Sequence, residues 1–365
     1  MPGALLTPPA PKASFSVSPM PKNPLGEGNY IRSAACLIIG DEILNGKTHD
    51  MNSNYFAKYC FEHGIDLKRI EVIADDQAQI VEAARRMVGN YDFVVTSGGI
   101  GPTHDDITYE SLAAAFAQNL AHHPETLARM AQMLKSRKWM ATQTPQQRAA
   151  TERMALFPDR AEVFFVAPDI WVPVVRLEGK LCIFPGIPSL FQKMLNALTP
   201  FLPLPPRTER PLRIQVFTEY VSATYRYYTR SRGRRRPESM IAPYLTSLQA
   251  RLKPHGIQVG SYPVLGQGVF VSLIGRDRPL TTVAGADSAK GAGGNAEAKG
   301  PPRIWLAEVA REVEKEVDGQ VVSEEEVAKR KGECKTLDRP VEIAVGIGVR
   351  PEAAANEMNV PKAKY

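Results

Sequence analysis

The sequence has few cysteines, no long apolar run and little excess charge outside one segment, and each absence excludes a class of protein. Its four cysteines stand singly among 365 residues, without the paired spacing of a zinc or haem site or the density of a disulfide framework. We therefore expect a reducing compartment and neither zinc nor haem. The longest apolar runs, such as residues 34–39, are far shorter than the roughly 20 residues of a membrane helix, so we expect no membrane segment.

The start of the chain lacks the features of an export signal. Residues 1–32 contain many prolines and serines and no apolar period, which predicts a disordered tail. No charged segment followed by an apolar one precedes a small-residue cleavage site, which argues against secretion. Few acids occur in the tail, as in mitochondrial transit peptides, but its prolines and its lack of arginine before Arg32 favour the cytoplasm.

Basic residues outnumber acidic ones only because of one segment. The net charge is +6, and the six arginines of residues 226–236 account for all of it. The rest of the chain is balanced, so we expect no nucleic-acid partner. Residues 220–236 interrupt a short strand-to-helix connection and have no core pattern. We interpret them as an insertion, either a retained intron or a genuine basic loop.

Strands and helices alternate between residues 33 and 200, which predicts a three-layer α/β sandwich with a mostly parallel sheet. Strands are expected at residues 34–39, 67–73, 92–96, 154–157, 163–166, 172–177 and 181–184, and helices at 53–63, 77–88, 107–117, 124–140 and 190–198. Residues 142–148 are expected to form a polar loop.

A proline-rich linker is expected at residues 201–211, followed by a smaller domain over 212–320. Its predicted order is β-α-β-β-α, with a flexible Gly/Ala/Lys-rich loop at 277–302. Residues 321–365 are charged and without pattern, so we expect a second disordered tail.

A glycine cluster follows the third strand and carries the strongest chemical signal. Gly98, Gly99 and Gly101 allow a sharp turn and a close approach of the backbone to a ligand. The helix that follows offers free N–H groups and a positive dipole end, which suit a phosphate. The cluster is neither a Walker A motif nor a Rossmann GxGxxG motif. It predicts a phosphate site at the carboxyl end of the sheet.

Asp105 and Asp106 stand together at the predicted start of that helix. Helix capping is a sufficient reason for one of them. Two adjacent carboxylates beside a phosphate would repel it unless a cation intervenes, so we predict a divalent cation such as Mg²⁺, Mn²⁺ or Co²⁺ bound by both.

Two further strands end in segments that border the same predicted cleft. Asp41 and Glu42 follow the first strand, either as cleft residues or as part of a polar loop. Residues 185–189 form a rigid turn in which Ser189 is expected to cap the next helix. His104 is the one histidine inside a motif, and it is either a solvated loop residue or an aid to proton transfer.

The order of these three segments resembles the MoaB/Mog-type molybdopterin-binding domain. The version in CinA-type proteins and at the N-terminus of animal FAD synthase is the most similar, because the block 98–108 is long and specific. The firm resemblance covers residues 33–198, and the small domain is similar to the KH-like domain of those proteins. No deamidase or adenylyl-transferring domain is expected after Val317. We therefore expect any activity to belong to the molybdopterin-binding-like domain itself.

The resemblance implies a metal-dependent diphosphatase of FAD, giving FMN and AMP, or of ADP-ribose. A molybdopterin adenylyltransferase and a non-catalytic flavin- or pterin-binding regulator are the alternatives. It also implies a homo-oligomer, a dimer or trimer. By motif, Asp105 and Asp106 would bind the metal or the substrate phosphate and act in catalysis. The sequence does not identify the water-activating base, for which Asp41, Glu42 and His104 are candidates. The implied substrate contacts are Gly40, Asp41, Glu42, Ser97, Gly98, Gly99, Gly101, Thr103, Pro185, Gly186 and Ser189.

Overall fold

A computed structural model describes residues 14–134, 142–219, 238–264, 267–276 and 305–335. The chain divides into two compact units, Met1–Leu212 and Arg213–Tyr365. The insertion expected at 220–236 and the loop expected at 277–302 lie outside the described residues. No described helix has the length and apolarity needed to cross a bilayer.

The first unit alternates strands and helices along the chain. In order these are β1 (Ser33–Ile39), α1 (Asp41–Leu44), α2 (Asn52–His63), β2 (Asp66–Ile73), α3 (Gln77–Asn90), β3 (Phe93–Ser97), α4 (Thr108–Ala115), β4 (Leu120–His122), α5 (Pro124–Leu134), α6 (Pro145–Arg153), β5 (Leu156–Pro158), β6 (Glu162–Phe164), β7 (Val174–Leu177), β8 (Leu181–Phe184) and α7 (Pro188–Leu198).

Six of these strands form one sheet in the order β2-β1-β3-β8-β7-β6. The first four are parallel, whereas β7 and β6 are antiparallel to their neighbours. Successive side chains of a strand point to opposite faces of the sheet, so alternate side chains of β1 pack into two separate cores. Cys36 packs with Phe56 and Phe191 on one side, and Leu37 packs with Ile80 and Leu112 on the other. The predicted three-layer α/β fold with a mostly parallel sheet is confirmed.

Residues 142–148 do not form the expected polar loop, because helix α6 begins inside them. Thr144 is its N-cap. The Gln147 amide donates to Thr144 Oγ1 at 3.3 Å, and Gln147 Oε1 accepts from the Thr144 amide at 2.9 Å. Pro145 at the first helical position needs no N–H partner. This capping box starts a helix in a sequence that has no apolar period.

The prediction of a disordered tail is wrong for residues 14–32. The Phe15 amide donates to the Pro168 carbonyl at 2.7 Å, and the Ser18 amide donates to the Phe165 carbonyl at 2.9 Å. Ile31 is buried in the core. Composition suggested disorder because the segment has no helix or strand of its own, but its backbone hydrogen bonds are made with other parts of the unit.

The segment expected as a linker packs onto the first unit instead. Phe201 is buried in the core, and Leu202 and Leu204 pack against it. The Pro203 carbonyl accepts from the Ile31 amide at 2.9 Å. The described residues of this segment therefore belong to the first unit and do not form a free linker.

The second unit contains β9 (Leu212–Glu219), α8 (Glu238–Leu252), β10 (Gln258–Val264), β11 (Gly268–Gly275), α9 (Leu306–Val317), β12 (Gln320–Val322) and α10 (Glu324–Lys335). Its sheet has the order β10-β11-β9-β12. The predicted β-α-β-β-α order is present and continues with β12, which pairs antiparallel with β9. The tail predicted from residue 321 is therefore wrong up to residue 335. The likeness to a KH domain remains a prediction.

Candidate functional site

The loops after β1, β3 and β8 meet because these parallel strands are neighbours in the sheet. A Cβ on Gly186 would lie 3.4 Å from the Gly98 Cα, so the loops after β3 and β8 touch. Buried Asn52 joins them, since its Nδ2 donates to Ser97 Oγ and to the Gly186 carbonyl, each at 2.8 Å. The residues predicted on separate motifs thus share one edge of the sheet.

Gly98 and Gly99 occupy backbone positions that a larger residue would strain. Their φ angles are +113° and +63°. A Cβ on Gly98 would collide with the Ile39 carbonyl, and one on Gly99 would collide with the Thr108 hydroxyl. That hydroxyl donates to the Gly98 carbonyl at 2.9 Å, and the Thr108 amide donates to the Gly99 carbonyl at 3.0 Å. The start of α4 therefore fixes the glycine turn.

The amides after this turn are available to a ligand. Within the described part of the chain, the amides of Gly99, Ile100 and Gly101 have no hydrogen-bond acceptor. Successive free N–H groups form a concave site for an anion. The loop therefore has the donors that a phosphate oxygen requires.

Asp105 and Asp106 differ in what their side chains do. Asp106 Oδ2 accepts from the Thr103 amide at 2.9 Å and from the Thr103 hydroxyl at 2.5 Å, which closes the loop on itself. Asp105 is exposed. The nearby Thr103 hydroxyl and the amide of Asp105 itself lower the pKa of Asp105. The hydroxyl has only one proton, and the short distance assigns it to Asp106. Helix α4 begins at Thr108, so neither aspartate is its N-cap.

A carboxylate that the sequence did not single out completes this edge. Asp75 follows β2, and its Oδ2 accepts from the Asp41 amide at 2.9 Å. Burial raises the pKa of Asp75, and the negative charges of Asp41, Glu42 and Asp105 raise it further, although the Asp41 amide opposes them. Four acidic side chains therefore interact beside the glycine turn.

These carboxylates fit a cation that is shared with a ligand. Among the described residues, no three His, Cys, Asp or Glu side chains form a ready-made metal cluster. Mg²⁺ in phosphate sites commonly takes one or two carboxylates and completes its shell with phosphate oxygens and water. The charge of Asp105 acts on Asp75, and Asp106 accepts both of its hydrogen bonds on Oδ2 and none from a described residue on Oδ1. A cation bound by Asp105 and Asp106 therefore remains a prediction, with Asp75 as a further candidate ligand.

Arg153 is a second residue that the sequence did not single out. It stands at the end of α6 and donates from Nη1 to the Thr103 carbonyl and from Nη2 to the Asp106 carbonyl, both at 2.9 Å. Its Nη2 also lies 3.3 Å from Glu110 Oε2. Because residues 142–148 were expected to be a loop, no helix end was expected at this place.

The remaining predicted residues border the same edge. Gly40 precedes α1, and a Cβ on it would lie 2.7 Å from Glu42 Oε2. Pro185 is buried, whereas Gly186 and Ser189 are exposed. The prediction that Ser189 caps α7 is wrong, because the helix begins at Pro188 with Ile187 as its N-cap. His104 is exposed on the loop. The contacts of these residues with a ligand remain predictions.

Known proteins resemble this chain mainly over the first unit. Residues 35–204 match the family model described as "Probable molybdopterin binding domain". A Caenorhabditis elegans protein named "Probable FAD synthase" is 30% identical over 257 residues, covering 66% of this chain and 45% of that protein. An Anaeromyxobacter "CinA-like protein" is 36% identical over 164 residues, covering 44% of this chain and 38% of its own length.

Among solved structures, the CinA protein of Thermoplasma acidophilum aligns with 29% identity and a TM-score of 0.41, covering 47% of this chain and 97% of that chain. The chain spans less than half the length of the FAD synthases that it matches. The family resemblance inferred from the motifs is confirmed by the family match.

Proposed function

We propose, on the premise that residues 35–204 belong to the molybdopterin-binding domain family, that this chain hydrolyses FAD to FMN and AMP with the help of a divalent cation. ADP-ribose is the second candidate substrate. The similarity to proteins named FAD synthase supports a flavin nucleotide over other pyrophosphates.

One observation carries the proposal: free amides and interacting carboxylates stand side by side at the carboxyl edge of the sheet. The amides of Gly99, Ile100 and Gly101 suit phosphate oxygens. The carboxylates of Asp75 and Asp105 would repel that phosphate, so a cation between them favours both groups. A binding module for a neutral ring needs neither feature.

In the proposed reaction a water oxygen bonds to one phosphorus as the bridging P–O bond breaks, which leaves AMP and FMN. The bound cation would neutralise charge on the phosphate oxygens. The free amides of the glycine loop stabilise the charge that develops on the attacked phosphoryl group. Asp41, Glu42 and His104 border the loop and are the candidates to accept the proton of the water. Asp106 keeps the loop in shape through Thr103.

The family match also supports a role in molybdenum cofactor assembly, as an adenylyltransferase or a binding protein. An adenylyltransferase joins AMP to a pterin phosphate, whereas the diphosphatase releases AMP from FAD. The first function forms a bond to AMP, and the second function breaks one.

The test is AMP release from FAD and from ADP-ribose by the purified chain with Mg²⁺, Mn²⁺, Co²⁺ or EDTA. We expect metal-dependent release of AMP and FMN in equal amounts. Asp105→Asn should lower kcat/KM by about 100-fold or more, which is the size of effect found when one group that stabilises transition-state charge is removed.

Asp66→Asn is the matched control, because Asp66 is an exposed aspartate of β2 in the same unit. It should leave turnover unchanged. Binding of FAD without AMP release under any cation would refute the diphosphatase and favour the binding module. AMP transfer to molybdopterin without FAD hydrolysis would favour the adenylyltransferase.

A further inference from the structure

Two large apolar side chains are exposed at the rim of the candidate site. Met51 is 54% exposed and Ile187 is 61% exposed. Met51 is the residue before α2, and Ile187 is the residue before α7. Each therefore stands at a rigid helix start and not on a long loop.

Asn52 links the chain segments that carry these two residues. It follows Met51 in the chain, and its Nδ2 donates to the carbonyl of Gly186, which precedes Ile187, at 2.8 Å. Gly186 in turn approaches the Gly98 Cα, where the glycine turn begins. Met51 and Ile187 are thus the chain neighbours of the two residues that this hydrogen bond joins, beside the phosphate donors.

Single exposed apolar side chains are common on protein surfaces and require no explanation. This pair differs because it borders a site that is otherwise made of carboxylates and free amides. Ligand sites typically combine a few polar groups with an apolar surface that receives the ligand's ring. The polar groups here suit the phosphates, which leaves the apolar pair for another part of the ligand.

We propose that Met51 and Ile187 form a platform for the isoalloxazine ring of FAD, and that this platform makes the site prefer FAD to ADP-ribose. The inference rests on the proposed function. A flavin ring is planar and has an apolar dimethylbenzene edge, and its ribityl chain separates it from the phosphates by several bonds. ADP-ribose has the same ADP part but a polar ribose in place of the flavin. Only FAD gains from aliphatic and thioether contacts at the rim.

The test compares Met51→Gln and Ile187→Thr with the wild type on both substrates. Met51→Gln keeps nearly the same side-chain length, and Ile187→Thr keeps the branch at Cβ but loses the terminal methyl group. Each variant replaces apolar surface with a polar group. We expect KM for FAD to rise roughly ten-fold in each variant, the low end for a lost apolar contact. The kcat for FAD and the KM for ADP-ribose should stay within about two-fold. The Kd of FMN, which has the ring and one phosphate but lacks the AMP part, should rise as the KM for FAD does.

Met20→Gln and Ile70→Thr are matched controls, since Met20 is 62% exposed and Ile70 is 43% exposed in the same unit, away from the three loops. They should behave as the wild type. An unchanged KM for FAD, or an equal rise of KM for both substrates, would overturn the platform while leaving the diphosphatase intact. If the wild type turns over neither substrate, the diphosphatase fails, and the Kd of FAD and FMN in the same variants decides the platform alone. A wild type that binds no flavin refutes both.

Discussion

The negative charge of Asp75 lowers the stability of the folded protein, although the proposed cation site uses that charge. Burial and the charges of Asp41, Glu42 and Asp105 raise its pKa. When the pKa of a carboxyl is higher in the folded than in the unfolded protein, its ionised form destabilises the folded state. The loss of stability is therefore absent below the unfolded pKa, grows as the pH rises from the unfolded to the folded pKa, and is complete above the folded pKa.

Asp75→Asn should therefore stabilise the protein at neutral pH and inactivate it. The neutral amide removes the repulsion, and its oxygen still accepts from the Asp41 amide. We expect a gain in unfolding free energy of at most about 1 kcal/mol at pH 7, because water screens a partly exposed charge. The gain should shrink as the pH falls to about 4, near the ordinary pKa of Asp.

Thermal unfolding from pH 4 to pH 8, together with AMP release, measures both effects. Asp66→Asn again serves as the control, since Asp66 lies outside the carboxylate group. A variant that melts below the wild type at pH 7 would show that the hydrogen bond to Asp41 outweighs the repulsion. Full activity would remove Asp75 from the proposed cation site.

Much of the site follows from the sequence at the scale of single residues, but Asp75 did not. Gly98 and Gly99 were predictable, because a glycine cluster after a buried strand has few structural reasons other than a tight turn or close approach. Asp75 stands outside any such pattern. It does follow β2, and the carboxyl ends of parallel strands are where ligands bind. That rule, applied to every strand, would have identified it.

At the scale of elements, helix α6 is hydrogen-bonded to the loop that follows the glycine turn. Arg153 at its end donates to the carbonyls of Thr103 and Asp106. Those bonds hold the loop that presents the free amides. The helix was predictable in principle, since Thr144, Pro145 and Gln147 form a capping box with proline at the first position. It was missed because only one of its residues is buried, so its sequence has no apolar period.

Arg153→Gln should weaken phosphate binding without unfolding the unit. A glutamine cannot reach both carbonyls with charge-assisted hydrogen bonds, so the loop samples other shapes. We expect KM for FAD to rise by about ten-fold, corresponding to about 1.4 kcal/mol. Arg153→Lys should recover part of the loss.

Steady-state kinetics and thermal unfolding separate positioning from simple stability. Arg160→Gln is the control, because Arg160 also donates to carbonyls of the unit, those of Phe116 and Ala117. If both variants lose stability alike and neither changes KM, Arg153 has no role in positioning the loop.

At the scale of the whole molecule, long-range contacts decide which parts of the chain are ordered. The order of apolar and polar residues predicted the α/β unit correctly, because alternating strands and helices leave strong local patterns in the sequence. It failed for residues 14–32 and 321–335, whose order depends on partners distant in sequence. Residues 320–322 pair with β9 about a hundred positions earlier in the chain. No local pattern predicts such pairing for a three-residue strand.

The N-terminal segment should accordingly stabilise the first unit. Arg129 is 6% exposed and donates to the Ser16 carbonyl at 2.8 Å and to the Ser16 hydroxyl at 3.1 Å. Its guanidinium also lies 3.5 Å from the centre of the Phe165 ring and 5.1 Å from that of Phe15. Removal of residues 1–28 takes away Phe15 and Ser16 and leaves a charged group with fewer partners. We expect a loss of about 2 kcal/mol, which is typical of a buried polar group that loses its acceptors.

Removal of residues 1–13 is the control, because it leaves every one of those contacts in place. Thermal unfolding of the two truncated chains should differ by about 4–8 °C, at 2–4 °C for each kcal/mol in a domain of this size. Arg129→Met in the shorter chain should recover part of the loss, since a neutral side chain needs no acceptor. Equal melting temperatures of the two truncations would mean that residues 14–28 follow the surface of the unit without stabilising it.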